Sequence, residues 1–276
     1  MTNETTGACE RVAILGAGKM GEALLSGLIR AGRPAGRLIA TVRRDERARL
    51  LEERYGVTVT GNAEAARLAD TLVIGVKPQD MPALLAELAP ALAPERLVVS
   101  IAAGIPTAFI EGRLPAGARV VRVMSNTPVL VDEAMSAISP GSHAGEAHLV
   151  RTEALLRVVG KVVRVPESQL DAVTALSGSG PAYFFYLVEA MIDAGILLGL
   201  PRAVAAELIV QTAIGSAVML RDSGEHPVQL REAVTSPGGT TINAIRELEN
   251  HRVRAALLAA LEAARDRARQ LAAEQE

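Results

Sequence analysis

Up to about residue 165 the chain repeats one pattern, a short β-rich and mainly apolar run followed by a longer stretch with apolar positions at helical spacing. The runs cover residues 12–15, 38–42, 72–76, 97–101, 120–124, 134–138 and 162–165, and the main helical stretches cover 21–31, 47–54, 81–92 and 146–158. Strands without polar alternation are buried on both faces, which is the sequence form of a parallel sheet wrapped by helices. The N-terminal part is therefore expected to be an α/β, doubly wound, Rossmann-type domain over residues 1–166.

After residue 166 the alternation stops. Residues 167–276 read as helix throughout, broken at Gly199-Leu200-Pro201, Ser223-Gly224 and Ser236-Pro237, so an all-α C-terminal domain is expected. Residues 182–200 are apolar almost all round, but Glu189 and Asp193 would each cost roughly 2.5–3.5 kcal/mol near a bilayer centre. Such a helix in a soluble protein must be buried, under its own domain or against another subunit. The expectation is a homo-oligomer built on this domain. The alanine-rich stretch 255–273 closes the chain as an amphipathic helix.

Composition narrows the partners. In a chain of 276 residues, a net charge of -2 and six aromatic residues with no tryptophan provide neither a basic field nor stacking platforms for nucleic acid. The polar N-terminus lacks the basic start and apolar run of a signal peptide, so a cytoplasmic protein is expected. The single cysteine, Cys9, lies in that tail, and the four histidines show no metal-binding spacing. No metal is expected. Of the 29 basic residues only Lys19, Lys77 and Lys161 are lysines.

Gly16-Ala17-Gly18-Lys19-Met20-Gly21 directly follows the first apolar run and opens a helix, the context that a dinucleotide fingerprint requires. Gly16 permits the tight turn, Gly18 lets the backbone approach a pyrophosphate, and Gly21 lets helix pack on strand. Lys19 faces either phosphate or open water. At the end of the second run an NAD site would carry Asp or Glu, whereas Arg43-Arg44 stand here and suit the 2′-phosphate of NADP. The alternative is a charged helix start, because Asp45 and Glu46 follow. Later run ends carry Val76-Lys77-Pro78, Ala102-Ala103-Gly104 and Ser125-Asn126-Thr127-Pro128, where ligands of such sheets bind.

Two small-residue breaks introduce helices in the second half, Leu176-Ser177-Gly178-Ser179-Gly180-Pro181 and Val234-Thr235-Ser236-Pro237-Gly238-Gly239-Thr240-Thr241. The amides of Gly239, Thr240 and Thr241 form a seat for a carboxylate at a helix start. No lysine follows Lys161, and no histidine lies between His148 and His226. A ketone needs a proton donor for its alkoxide, whereas a protonated imine already carries its activating charge. Glu189 and Asp193 could form an acid–base pair, but a polar stripe on a buried helix suffices.

These motifs together resemble the pyrroline-5-carboxylate reductase family from about Arg11 to Leu271, most specifically in the segment from Val234 to Ile242. The resemblance implies reduction of 1-pyrroline-5-carboxylate to L-proline with NADPH or NADH, and Arg43-Arg44 make NADPH the preferred cofactor. It also implies an intertwined homodimer through the helical domain, often assembled into a decamer. By position, Gly239, Thr240 and Thr241 would hold the substrate carboxylate, Ser236 and Val234 would line the pocket, and Thr241 would hydrogen-bond the ring nitrogen as the catalytic contact. Asn62, Lys77, Ala102 and Asn126 would lie along the cofactor. Ser125 and Gly75 depart from the family's usual proline and alanine, which suggests a looser backbone there. A β-hydroxyacid dehydrogenase would carry a lysine on the first long helix of the second domain, and none is there. A non-catalytic NADP-binding regulator would not need the complete Ser236 to Thr241 segment.

Overall fold

A computed structural model describes residues 10–274; Cys9 and the rest of the N-terminal tail lie outside the described residues. The strands are β1 (Val12–Leu15), β2 (Leu38–Thr41), β3 (Thr58–Val59), β4 (Thr71–Ile74), β5 (Leu97–Ser100), β6 (Arg119–Met124), β7 (Ala134–Pro140) and β8 (Gly160–Arg164). They form one sheet in the order β3-β2-β1-β4-β5-β6-β7-β8. Between them run α1 (Lys19–Arg30), α2 (Asp45–Tyr55), α3 (Asn62–Leu68), α4 (Met81–Leu88), α5 (Thr107–Glu111) and α6 (Glu146–Leu156).

Alternate side chains of β1 divide the core. Val12 and Ile14 join Leu24, Leu25 and Leu28 of α1 on one face, while Ala13 and Leu15 join Leu84, Leu85 and Leu88 of α4 on the other. Both faces are covered, as unbroken apolar strands require. Strands β1 to β6 pair in parallel, so a wholly parallel sheet needs correction only at β7, which runs antiparallel to β6. The nine-residue link between them holds only a 3-10 turn, Thr127–Val131, too short for a crossover helix, so the chain must reverse. Strand β8 returns to parallel pairing after α6.

The described residues form two compact units, one of residues 10–178 with 264–274 and the other of 179–263. In the first, Leu170–Val173 (α7) continues into a wider π-type turn at Thr174–Gly178. The second holds α8 (Gly180–Leu197), α9 (Arg202–Asp222), α10 (Pro227–Ala233), α11 (Thr240–Asn250) and the first part of α12 (Val253–Ala273). In this unit only Gly180 and Ala205 are buried. Phe184, Phe185 and Tyr186 are about 70% exposed, and Leu197 and Leu198 more than 80%. So large an apolar surface marks an association face. Glu167–Leu197 and Arg202–Asp222 are long and apolar enough to cross a membrane by length and composition.

Within the first unit Arg122 of β6 is buried and pairs with Glu167 at 3.0 Å. The same carboxylate accepts from the Thr107 amide at 2.8 Å and its hydroxyl at 2.6 Å. Burial alone would raise the Glu167 carboxyl, but the bonds from Thr107 and Arg122 outweigh it and hold it below the usual carboxylate range. The stabilisation is therefore present above the unfolded pKa of about 4.3 and is lost as pH falls through the lower folded value. Glu167→Gln should cost about 2 kcal/mol in urea unfolding at pH 7, because a buried guanidinium loses its counter-charge. That difference should shrink steadily below pH 4; a pH-independent difference would show that ionisation of Glu167 is not its source.

Candidate functional site

Because β2, β1, β4, β5 and β6 are parallel neighbours, their carboxyl ends lie along one edge of the sheet. That edge carries the glycine loop, Arg43 and Arg44, Val76-Lys77-Pro78, Ala102-Ala103 and Asn126. The loop closes on itself and on β2: the Gly18 amide donates to the Gly16 carbonyl at 2.7 Å, and the Gly16 and Ala17 amides donate to the Thr41 carbonyl at 3.1 and 3.0 Å. Gly16 has φ +78°, and a Cβ there would come within 2.7 Å of Val76 Cγ1 and 3.2 Å of the Val76 nitrogen. At Gly21 a Cβ would meet Ile14 Cγ2 at 2.9 Å. Gly18 differs, since its Cβ would find nothing nearer than the Gly16 oxygen at 3.9 Å. The fold itself demands glycine at 16 and 21, whereas at 18 the missing side chain leaves an open cradle above a helix N-terminus, which fits a pyrophosphate.

Around the loop the polar side chains are mutually engaged. Buried Thr41 donates its hydroxyl to Asn62 Oδ1 at 2.7 Å, and Asn62 Nδ2 donates to Glu87 at 2.8 Å. Arg43 makes a two-pronged pair with Asp80, at 3.2 and 3.0 Å. Arg44 is the exposed residue before α2, and Arg47 pairs with Glu22 rather than with Asp45 or Glu46. Lys19 and Lys77 are exposed, Met20, Val76 and Pro78 are half-buried, Ala102 is buried and Ala103 is exposed. Lys19 also lines a cavity of about 280 Å³ with Glu22, Ser26, Arg30, Arg54 and Tyr55.

Asn126 is held from both ends. Its Oδ1 accepts from the Met135 amide at 2.9 Å, while Nδ2 donates to the Ser177 carbonyl at 3.2 Å. The end of β6 is thereby pinned to the π-type turn at Thr174–Gly178. Ser125 is pinned too, accepting from the Ser136 hydroxyl at 2.9 Å. The sequence points to no role for Thr41, Asp80 or Glu87, and it marks Ser177 only as part of a small-residue break. Thr41 left a signal, a polar residue inside an apolar run, but Asp80 and Glu87 left none.

In the helical unit, Ser236-Pro237-Gly238-Gly239 forms a turn closed by the Gly239 amide on the Ser236 carbonyl at 3.1 Å. Proline followed by a glycine at φ +67° suits a type II turn. Gly239 is the N-cap of α11, and a Cβ on it would lie 2.3 Å from Ser236 Oγ. Since the Gly239 amide is used in the turn, the first-turn amides of Thr240 and Thr241 remain as donors without an intrahelical acceptor. Gly239 and Thr241 are half-buried, while Val234, Ser236 and Thr240 are exposed. Asn243 Nδ2 donates back to the Gly239 carbonyl at 2.9 Å and steadies the start of α11.

Comparison with known proteins adds an independent line. The family model for pyrroline-5-carboxylate reductase dimerisation matches residues 167–271, and that for NADP oxidoreductase, coenzyme F420-dependent, matches residues 11–104. The chain is 46% identical to a Mycobacterium tuberculosis pyrroline-5-carboxylate reductase, covering 95% of this chain and 96% of that one. Against the Pseudomonas aeruginosa enzyme the identity is 45%, over 95% and 97%. Among solved structures, a pyrroline-5-carboxylate reductase from Coxiella burnetii superimposes with a TM-score of 0.91 at 36% identity, over 95% and 98%. A Plasmodium falciparum pyrroline carboxylate reductase with NADP bound gives 0.84 at 28%, over 96% and 99%.

Proposed function

This chain belongs to the pyrroline-5-carboxylate reductase family, and from that premise we infer how its residues divide the work of an NAD(P)H-dependent reduction of 1-pyrroline-5-carboxylate to L-proline. The observation that carries the inference is α11, whose N-terminus offers the amides of Thr240 and Thr241 and a hydroxyl on Thr241 at one helix start. The amides and the helix dipole suit the substrate carboxylate. Gly239 shapes this seat through its lack of a side chain, and Ser236 and Val234 line it. The Thr241 hydroxyl hydrogen-bonds the ring nitrogen.

When bound, the reduced nicotinamide supplies a hydride to the imine carbon. The chain's own contribution is to orient that carbon and to hold the nitrogen while its positive charge is neutralised. A protonated imine needs no lysine acid, and none follows Lys161. For the cofactor, Gly16, Ala17, Gly18, Lys19 and Met20 take the pyrophosphate at the start of α1, with Asn62, Val76, Lys77, Pro78, Ala102, Ala103 and Asn126 along the same sheet edge. Arg43 and Arg44 take the 2′-phosphate, which favours NADPH over NADH. Arg43→Ala should raise the KM for NADPH about tenfold and that for NADH less than twofold; equal changes would reject this assignment.

The dimerisation match and the exposed apolar helices support an oligomer, which we assign as a homodimer through residues 167–276, with a decamer as the higher assembly. Residues 1–166 form the dinucleotide-binding half. The same reading makes the protein cytoplasmic, with neither membrane nor nucleic acid as partner; Glu189, Asp193 and Glu207 on the two long apolar helices support it. Light scattering should report at least twice the chain mass of 28.9 kDa, and Phe185→Asp should shift it toward the single chain. A native single-chain mass would refute the assignment. The substrate assay is NADPH oxidation with 1-pyrroline-5-carboxylate against NADP reduction with 3-hydroxyisobutyrate, and only the first should proceed.

A further inference from the structure

Arg43 stands just past the end of β2, where a dinucleotide-binding domain places the adenosine ribose. Asp80 is the residue before α4, in the loop after β4. Because β1 lies between β2 and β4, the Arg43–Asp80 pair bridges the sheet edge across the end of β1, where the glycine loop begins. Both terminal nitrogens of the guanidinium are committed, each to one carboxylate oxygen. A 2′-phosphate would ask for the same planar fork. Arg43 is 82% exposed and Asp80 35%, so the pair is a solvated one that a doubly charged anion can displace.

We propose that Asp80 sets cofactor selectivity by competing with the 2′-phosphate for Arg43, which narrows the advantage of NADPH over NADH. The proposal rests on the assignment of Arg43 to the phosphate. Asp80 acts in two ways that add: its carboxylate occupies the donors the phosphate needs, and its charge repels the phosphate once Arg43 has moved. NADH, lacking that phosphate, has no need to break the pair.

The test is calorimetric titration of the full chain at fixed salt with adenosine 2′,5′-bisphosphate and with AMP, for the native protein, Asp80→Asn, Arg43→Ala and the double variant. Asp80→Asn should tighten the bisphosphate about fivefold, the upper worth of an exposed pair, and change AMP less than twofold. In the Arg43→Ala background the competitive part of that gain should vanish, leaving less than twofold from the relieved repulsion. Equal tightening of both ligands would mean a general charge effect and would overturn the competition. So would weaker or unchanged bisphosphate binding in Asp80→Asn while Arg43→Ala still weakens it, a result that spares the phosphate assignment. If Arg43→Ala leaves bisphosphate binding intact, the assignment fails and the proposal with it.

Discussion

Thr241→Ala is expected to lower turnover about 100-fold, or about 2.7 kcal/mol, while the dissociation constant for NADPH stays within twofold. The methyl group of alanine is well tolerated in a first helical turn, so α11 should form, and its backbone amides remain for the carboxylate. What is lost is the hydroxyl at the ring nitrogen, which donates to the lone pair that forms there as hydride reaches the carbon, an interaction made in the transition state and not by the protonated imine. Thr241→Ser keeps the hydroxyl and should recover most of the rate. Turnover kinetics with fluorescence titration of NADPH separate the two effects. Unchanged turnover in the alanine variant would remove Thr241 from the chemistry.

Substitutions in the glycine loop should separate folding from cofactor binding. Gly18→Val places its Cβ in open space, at φ -74° and ψ -161°, which any residue adopts. Thermal stability should hardly change, yet NADPH should bind about 100-fold more weakly because the side chain fills the pyrophosphate cradle. Gly16→Ala is the opposite case. It forces a side chain into a left-handed conformation at φ +78° and against the Val76 backbone, at a cost of about 2–4 kcal/mol in unfolding free energy. A Gly18→Val protein that binds NADPH normally would show that the cradle is not where the pyrophosphate sits.

Much of this was legible along the chain. The mainly apolar runs marked seven of the eight strands, most clearly β1, β2, β4 and β5, which are buried along their whole length and so carry few polar residues. Strand β3, two residues long, and helix α3, seven residues long, were missed because neither is long enough to show a period. The glycine loop and the turn before α11 were visible because backbone conformation at Gly16 and Gly238 restricts the residue type directly.

What the sequence by itself determined was therefore local: where the chain extends, coils or turns, and which residues carry the chemistry of a dinucleotide and a small carboxylate. Only the tertiary structure decided that β7 runs against β6, that Asn126 is spent on Ser177, and that Arg43 faces Asp80. Those partners lie 51 and 37 residues apart. Hydrophobic periodicity encodes which face of an element is buried, whereas the pairing of exposed polar groups depends on which strand ends the sheet order brings side by side.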